Sequence, residues 1–306
     1  MTADGSATSP MRFGLCLPQY RPGASREGID AATEACERLG WDSVWTTDHV
    51  LPDQSPRAAD YSVLFEALAT LAYVAGRTSR VRLGTSIIVV PMRNAVLMAR
   101  EVASIDVLSG GRMTLGVGVG WSEAEFSNVG VADTFHRRGA YLDESIAVWR
   151  HLWNGSEEPF KGKFHSFHGY RFAPLPEQGA ALPIYVGGGS EAALRRAGQL
   201  GDGWHATTTG PDLFAEKAPR VREFARAAGR PEPAFSARIR VRFEPRAASG
   251  GPYAMTGTPE EMRADVAGFA KAGASLLVVD LIETDPARSV AAIERFHRDV
   301  IGESGS

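Results

Sequence analysis

The 306-residue sequence contains few cysteines, no long apolar run and no excess of basic residues. Its two cysteines, Cys16 and Cys36, give neither a disulfide framework nor the spacing of a metal site, which is typical of a reducing cytoplasm. No apolar run approaches the roughly 18 residues that a membrane span needs. The formal net charge is −3 and no basic run is present, so neither a membrane nor nucleic acid is an expected partner.

The chain starts with ten small and polar residues, MTADGSATSP, which lack the apolar core of a signal peptide. We expect residues 1–10 to form a disordered tail and residues 11–306 to form a single domain. Within that domain, eight apolar runs alternate with segments of helical periodicity. The runs are predicted strands at 12–17, 43–47, 81–90, 113–119, 183–186, 203–206, 236–243 and 276–282. The pattern predicts an α/β fold, a (β/α)8 TIM barrel, with a doubly wound sheet as the alternative.

One long irregular segment interrupts this alternation after the fourth predicted helix, which spans 136–153. It covers residues 154–182 and is rich in glycine, proline and aromatic residues. We predict that this insertion forms a β-hairpin and lies over one mouth of the domain. His165 and His168 within it are spaced like a ligand pair, but no cysteine or carboxylate cluster accompanies them, so no metal site is predicted.

The third and fourth predicted strands carry residues that are unusual in buried strands. Thr85 and Ser86 interrupt an aliphatic run, and Gly116, Gly118 and Gly120 leave one face of the fourth strand without side chains. Glycine weakens a strand, and close approach of a ligand or of another backbone is one reason to find it there. Crowded packing inside a barrel is the alternative. The spacing GxGxG differs from the GxGxxG fingerprint of dinucleotide sites, so it does not indicate a Rossmann fold.

The strand ends give the candidate catalytic residues, because active sites of barrels lie at the C-terminal ends of their strands. Asp48 and His49 follow the second predicted strand, and a histidine there can exchange protons near neutral pH. Asp48 would fix the orientation of His49 or hydrogen-bond a ligand directly. Alternatively, both residues only open a solvated loop.

A glycine turn follows the fifth predicted strand. Residues 187–189 are all glycine, and Ser190 stands at the predicted start of a helix. Backbone N–H groups at a helix N-terminus form an anion site, and this region of barrels often binds phosphate. An ordinary strand-to-helix turn would use glycine as well.

Several segments together resemble the bacterial luciferase-like flavin and deazaflavin oxidoreductases, over roughly residues 11 to 300. They are WDSVWTTDH, LGTSIIVVPMRNAVLMAREVASIDVLSGGRMTLGVGVGW, VGGGSEAALRRAGQLGDGW and GTPEEMRADVAGFAKAGASLLVVDL, together with Glu125, Phe126, Arg138, Asp143 and Glu144. Within this superfamily, the sequence resembles the F420-dependent branch, common in actinobacteria, more than the reduced-FMN monooxygenases.

The resemblance implies a TIM barrel that binds the flavin or deazaflavin ring at its C-terminal mouth. It implies that the ring leans on a bulge in the third strand with a non-prolyl cis peptide bond, here Ser86–Ile87. It assigns catalysis to His49 and Asp48, and phosphate contacts to the glycine turn. The expected cofactor-binding residues are Asp48, Thr85, Ser86, Ile87, Gly118, Gly187, Gly188, Gly189 and Ser190. Further along the following helix, Arg195 and Arg196 are expected to meet the polyglutamate tail of F420.

One departure limits what the resemblance implies about the substrate. The F420-dependent sugar-phosphate dehydrogenases have a glutamate acid after the fourth-strand glycines and a tryptophan five residues past the aspartate. Trp121 and Asp53 stand at those places here. A lysine- and arginine-lined sugar-phosphate pocket is not evident either, so that substrate is not carried over and the general-acid role falls to His49.

Three functions follow as hypotheses. The first is an F420-dependent oxidoreductase that transfers a hydride to or from a carbonyl, an imine or an activated alkene. The second is a luciferase-like monooxygenase that uses reduced FMN and oxygen, which requires a dry pocket around the peroxyflavin. The third is a barrel that binds cofactor without catalysis. A small-molecule substrate, a homodimer and a cytoplasmic location complete the expectation.

Overall fold

The computed structural model describes residues 10–246 and 252–302, so the tail predicted at 1–10 lies outside the described residues except for Pro10. Within these ranges, eight parallel strands close into a barrel. The strands are β1 (Arg12–Cys16), β2 (Ser43–Thr46), β3 (Arg82–Thr85), β4 (Met113–Gly118), β5 (Ile184–Gly187), β6 (Gly203–Thr207), β7 (Ala234–Val241) and β8 (Leu276–Asp280). Each strand pairs with its neighbours in sequence, and β8 pairs with β1. This closure excludes an open doubly wound sheet.

A helix follows each strand on the outside of the barrel. The helices are α1 (Arg26–Leu39), α2 (Ala67–Ala75), α3 (Ala95–Ser109), α4 (Arg138–Trp153), α5 (Glu191–Gln199), α6 (Pro211–Ala227), α7 (Pro259–Lys271) and α8 (Pro286–Phe296). The predicted (β/α)8 barrel with an insertion after the fourth helix is therefore confirmed. No helix in the described part of the chain is long and apolar enough to cross a membrane.

The sequence patterns have direct structural causes. Every residue of β2, β4 and β8 is buried, as expected for parallel strands that are covered on both faces. The Ser25 hydroxyl accepts a hydrogen bond from Gly28 N at the start of α1, and Gly40 ends that helix with a φ of 72°. Thr258 and Glu261 form a capping box at the start of α7.

The predicted third strand, 81–90, is interrupted at its centre. β3 ends at Thr85, and Ile88–Val89 resumes the pairing with β4, so Ser86 and Ile87 lie outside the ladder. The Ser86–Ile87 peptide bond is cis, which confirms the expectation. The Ser86 N–H donates to a carbonyl of β2 at 2.7 Å, which holds this bulge against the neighbouring strand.

The prediction of a helix from residue 61 is wrong at its start, because α2 begins at Ala67. The preceding residues are held by the loop after β1 instead. Leu64 forms a bridge with Tyr20, and Phe65 N donates to the Gln19 carbonyl at 2.8 Å. These tertiary contacts outweigh the local helix propensity, so residues 61–66 become part of the wall of the barrel mouth.

The insertion contains the predicted hairpin, formed by Phe160–Lys161 and Ser166–Phe167. That the insertion as a whole lies over one mouth of the domain stays a prediction, because Gln178 binds Arg82 at the start of β3 whereas the hairpin lies elsewhere. The turn of the hairpin is held on the outer flank of α4, where the Glu144 carboxylate accepts hydrogen bonds from the backbone N–H groups of three turn residues at 2.6–2.8 Å. The division of the chain into a tail and one domain with an insertion at 154–182 stays a prediction.

Candidate active site

His49 lies at the C-terminal mouth of the barrel, directly after β2. It pairs with a carboxylate from the segment that follows β4. Its Nδ1 lies 2.6 Å from Oε2 of Glu125, in the short helix Glu123–Asn128. The other carboxylate oxygen, Oε1, accepts from Val50 N at 2.7 Å and from Leu51 N at 3.3 Å. Both partners are buried. Because Glu125 is a hydrogen-bond acceptor at Nδ1, proton exchange at the mouth falls to Nε2.

Aromatic rings pack on the His49 imidazole from two sides. The Tyr61 ring centroid lies 4.0 Å away, and the Trp121 ring meets the imidazole edge-on at 5.6 Å. The guanidinium carbon of Arg57 lies 4.0 Å above the centre of the Trp121 ring. His49 is therefore held both by a hydrogen bond and by packing, as a positioned proton carrier requires.

Among the described hydrogen bonds none joins the side chains of Asp48 and His49, so the role of orienting the imidazole falls to Glu125. The Asp48 side chain is fully buried, and its Oδ2 accepts from Val89 N at 2.8 Å. Its Oδ1 lies 2.5 Å from the guanidinium of Arg93. Burial raises the pKa of Asp48, while the neighbouring Arg93 opposes that shift. With both oxygens engaged, Asp48 supports the loop after β3.

Ser86, at the bulge, forms a hydrogen bond with a buried histidine of β6. Its hydroxyl lies 2.8 Å from Nε2 of His205, and Nδ1 of His205 lies 2.8 Å from the hydroxyl of Ser236. The His205 ring stacks on Trp45 with an interplanar angle of 6°. Burial, and then the charge of Arg238, lower the pKa of His205 to about 3, so this imidazole is neutral at pH 7.

The neutral state of His205 predicts a pH dependence of stability. Its pKa in the unfolded chain is about 6.5, so the unfolded state takes up this proton first. The stability that neutral His205 provides is complete above that pH and is lost as the pH falls towards its folded pKa of about 3. The free energy of unfolding of His205→Asn, measured in denaturant, should fall less steeply over this window than that of the wild type. Equal slopes would contradict the assignment.

The glycines of β4 and β5 leave room for the neighbouring strand. An added Cβ at Gly116 would meet the carbonyl oxygen of Thr85, and one at Gly118 or Gly187 would meet the side chain of Ile87. The Thr85 hydroxyl donates to the Gly116 carbonyl at 2.6 Å and accepts from Gly116 N at 2.9 Å. Close approach by protein therefore accounts for these glycines, and the Thr85 hydroxyl is engaged within the barrel.

The glycine turn after β5 is exposed and carries a cation that the sequence did not reveal. Gly188 adopts a φ of 106°, and the Ser190 hydroxyl caps α5 by accepting from Ala193 N. Lys217 of α6 places its Nζ 2.8 Å from the Gly189 carbonyl. Arg196 does not reach outward, as was expected for contacts to a polyglutamate tail, because its guanidinium pairs with Asp143 of α4.

A cavity of about 780 Å³ opens beside His49. Its wall consists largely of the loop between β2 and α2, and Arg93 closes it on the side of β3. The lining residues are His49, Val50, Leu51, Pro52, Asp53, Gln54, Ser55, Pro56, Ala58, Ala59, Tyr61, Ser62, Leu64, Glu66 and Arg93. Its size and mixed lining are typical of a site for a small organic molecule.

The family profile described as "Luciferase-like monooxygenase" matches residues 11–299 of the chain. The chain belongs to the luciferase-like monooxygenase family. It is 34% identical over 240 residues to the F420-dependent glucose-6-phosphate dehydrogenase of Kineococcus radiotolerans. That match covers 76% of this chain and 68% of the relative.

Solved structures show the same fold for this luciferase-like chain. A structure of an F420-dependent secondary alcohol dehydrogenase with an F420-acetone adduct superposes with a TM-score of 0.80 at 19% identity, covering 97% of this chain and all of that one. The FMN complex of the oxygenating constituent of 3,6-diketocamphane monooxygenase from Pseudomonas putida superposes with a TM-score of 0.79 at 17% identity, covering 96% and 99%. At these identities the structures establish the fold alone.

Beneath the mouth of this luciferase-like barrel lies a buried ionic cluster that sequence analysis missed. Asp280, at the end of β8, accepts a bidentate pair of hydrogen bonds from Arg21 at 2.9 Å each. Arg238 of β7 also donates to Asp280 at 2.9 Å, and to the Ser86 carbonyl at 2.9 Å. The cluster therefore connects strands at both ends of the chain to the bulge. Although burial opposes it, the adjacent Arg238 and Arg21 hold the pKa of Asp280 well below its usual range.

Proposed function

We propose that this chain is an F420-dependent oxidoreductase that transfers a hydride between the deazaflavin and a small organic substrate with a carbonyl, an imine or an activated alkene. The observation that carries the proposal is the His49–Glu125 pair, which faces a substrate-sized cavity at the mouth that also holds the Ser86–Ile87 bulge. F420-dependent relatives at 34% identity or above support the choice of cofactor.

The glycine turn after β5 suits the phosphate of such a cofactor. Among residues 10–246 and 252–302, no protein acceptor takes a hydrogen bond from the N–H groups of Gly189 and Ser190. The ammonium group of Lys217 adds a positive charge at the same turn. Free N–H donors beside a cation fit a phosphodiester. We propose that the turn residues Gly188, Gly189 and Ser190 hold the phosphate.

The other predicted site residues fall into two groups. We propose that the bulge of Ser86 and Ile87 supports the ring, since the Ile87 side chain is partly exposed at the mouth. The remaining residues support the site from inside the protein, because their polar atoms are engaged or their space is filled by Ile87. These residues are Asp48, Thr85, Gly118 and Gly187.

The chemistry follows from the environment of His49. F420, when bound, supplies the carbon that accepts or donates the hydride. His49 would exchange a proton with the substrate through Nε2, while Glu125 keeps the other ring nitrogen hydrogen-bonded. Glu125 also balances the positive charge on the imidazolium. His205 cannot substitute for His49 as an acid, because its low pKa keeps it neutral and both its nitrogens face serine hydroxyls.

Reduced FMN with oxygen is the second candidate. The likeness to an FMN-bound monooxygenase fold and the apolar part of the wall of the cavity beside His49 favour it. A barrel that only binds cofactor would gain nothing from a buried histidine–carboxylate pair at the cavity. We also propose a cytoplasmic location, which the two free and buried cysteines support. The homodimer stays a prediction.

Cofactor titration tests the choice between F420 and FMN. Purified protein should bind F420 at least tenfold more tightly than FMN, about 1.4 kcal/mol, because only F420 extends beyond its phosphate with further negative charge. The ratio of the two affinities should fall as the salt concentration rises, because salt screens the attraction between the protein and the extra negative charge of F420. Ring fluorescence during titration measures both affinities.

A pair of lysine variants tests whether the glycine turn holds the phosphate, with Lys217→Gln as the test and Lys271→Gln as the control. Lys217→Gln should weaken F420 binding, whereas Lys271→Gln, at the far end of α7, should leave it unchanged. Tighter or equal binding of FMN at low salt would favour the monooxygenase.

A further inference from the structure

The cavity beside His49 has an apolar wall. Val50, Leu51, Pro52, Ala58 and Leu64 contribute to it, and its volume of about 780 Å³ accommodates a molecule of the size of a ring system with substituents. Apolar contacts of this kind bind hydrocarbon surface and provide no partner for a highly hydrated group such as a phosphate. The body of the substrate is therefore expected to be apolar.

Arg93 is the one lysine or arginine among the lining residues in the described part of the chain, and two carboxylates engage one of its terminal nitrogens, while its Nε–H has no acceptor there. Its guanidinium lies 2.5 Å from Asp48 and 2.9 Å from Glu66. Arg57, on the same loop, does not line the cavity but lies over the Trp121 ring. An anionic substrate would therefore lose its hydration without meeting an unpaired cation.

Negative charge is in excess around the cavity. Asp48 and Glu66 share the single guanidinium of Arg93, and Glu66 is 44% exposed on its side chain. Asp53 lines the cavity as well, and the Ser122 hydroxyl and the Ser55 backbone donate to its carboxylate. Among the described residues Asp53 forms no ion pair, so two carboxylates, Asp53 and Glu66, line the cavity against the one guanidinium of Arg93. This surplus favours a positively charged ligand.

The aromatic rings at the cavity also suit a cation. Tyr61 lines the cavity and contacts His49, and Trp121 packs on the same imidazole. The Arg57 guanidinium occupies one face of Trp121 at 4.0 Å, so Tyr61 is the ring of the cavity lining that can make a cation–π contact with a ligand. The ring face of Tyr61 and the carboxylates of Asp53 and Glu66 together attract a cation.

We propose that the substrate of this site is an organic nitrogen cation with an apolar body, and that the reacting group is a protonated C=N bond or the corresponding amine. The inference rests on the proposed hydride transfer and narrows its substrate class. In the reductive direction, the carbon of the protonated C=N bond accepts a hydride, and the nitrogen becomes a neutral amine. The amine then takes up one proton through His49. The reduced deazaflavin would supply one hydride, which carries both electrons, and one proton, which would reach the amine through His49, so charge and atoms balance.

A series of three probes with one skeleton tests the charge selection. Cyclohexylamine, which is protonated at pH 7, cyclohexanol and cyclohexanecarboxylate are titrated calorimetrically into F420-loaded protein at low salt. We expect the amine to bind about tenfold more tightly than the alcohol, and the carboxylate to be the weakest of the three. Carboxylate binding as tight as that of the amine would overturn the proposal.

Two variants show whether the carboxylates cause the selection. Glu66→Gln keeps an oxygen that can accept from Ala69 N at the start of α2, so the helix cap is retained. It should reduce the preference for the amine over the alcohol severalfold, and Asp53→Asn should do the same from the other side of the loop. The matched control is Glu157→Gln, an exposed glutamate of the insertion, which should change nothing. Unchanged preference in both cavity variants would overturn the proposal.

Turnover tests the reacting group. Oxidation of reduced F420, followed at 420 nm, should be at least about tenfold faster with 1-pyrroline, a cyclic imine, than with cyclopentanone at equal concentration. Equal rates with the ketone would overturn the assignment of a C=N bond. Failure of F420 to bind, with the amine still preferred by cofactor-free protein, would refute the proposed function and leave the charge selection standing. Normal F420 binding together with a preference for the carboxylate would refute the charge selection and leave the proposed function standing.

Discussion

Replacing His49 with alanine is expected to lower turnover by about 10²–10⁴-fold while F420 affinity stays close to that of the wild type. The imidazole is buried, and its Nδ1 is engaged by Glu125 at 2.6 Å, so its contribution is a positioned proton at Nε2. Single-turnover absorbance changes of F420 measure the chemical step, and fluorescence titration measures affinity. Added imidazole should restore part of the rate, because the deletion leaves a space for it.

Variants of Glu125 test whether this carboxylate positions His49 for proton transfer or only stabilises the fold. Glu125→Gln keeps hydrogen bonding to the loop at Val50 N but removes the charge that balances an imidazolium. We therefore expect kcat to fall with little change in KM, and Glu125→Asp to recover part of the loss. An equal loss of F420 affinity and of rate in His49→Ala would instead make His49 a binding residue.

Replacing Asp280 with asparagine is expected to destabilise the fold by about 3–5 kcal/mol, the usual cost of removing one partner from a buried ion pair. The side chain of Asp280 is only 2% exposed, and it accepts hydrogen bonds from Arg21, Arg238 and the Tyr20 hydroxyl. Without its charge, two guanidinium groups lie close together without a counter-ion. Denaturant unfolding at pH 7 gives the change in the free energy of unfolding.

The control for this variant is Asp133→Asn, at an exposed aspartate after β4. It is expected to change stability by less than about 0.5 kcal/mol, as surface substitutions usually do. A loss below about 1 kcal/mol in Asp280→Asn would mean that water or a rearranged side chain compensates the two arginines.

The fold was predictable because its signals are local. The strands are continuous apolar runs, and Ser25 and Thr258 mark helix starts through hydrogen bonds that span only three residues. The start of α2 was not predictable, because residues 61–66 are held by contacts to Tyr20 and Gln19, some 45 positions earlier. The position of the hairpin on α4 depends in the same way on Glu144, which no local pattern indicates.

The candidate site was predictable only in part, for the same physical reason. His49 and the bulge lie at strand ends, and their positions follow from the barrel. The partner of His49 does not, since Glu125 lies 76 positions further along the chain. The acid next to His49 in sequence, Asp48, pairs with Arg93 instead, because neighbouring residues at a strand end point in different directions. Lys217 reaches the glycine turn from another helix and had no sequence signal.

The Ile87 side chain occupies the space that glycine leaves free at positions 118 and 187. The side chains at these three positions therefore share one space between β4, β5 and the bulge after β3. A library that randomises position 118 or 187 alone requires Ile87 to move its Cδ1 aside and should favour small side chains, whereas one that lets residue 87 shrink at the same time should accept larger ones. Residues 87, 118 and 187 therefore need to be varied together when this part of the barrel mouth is redesigned, and substitution of one glycine alone would underestimate the side-chain volume that the site accepts.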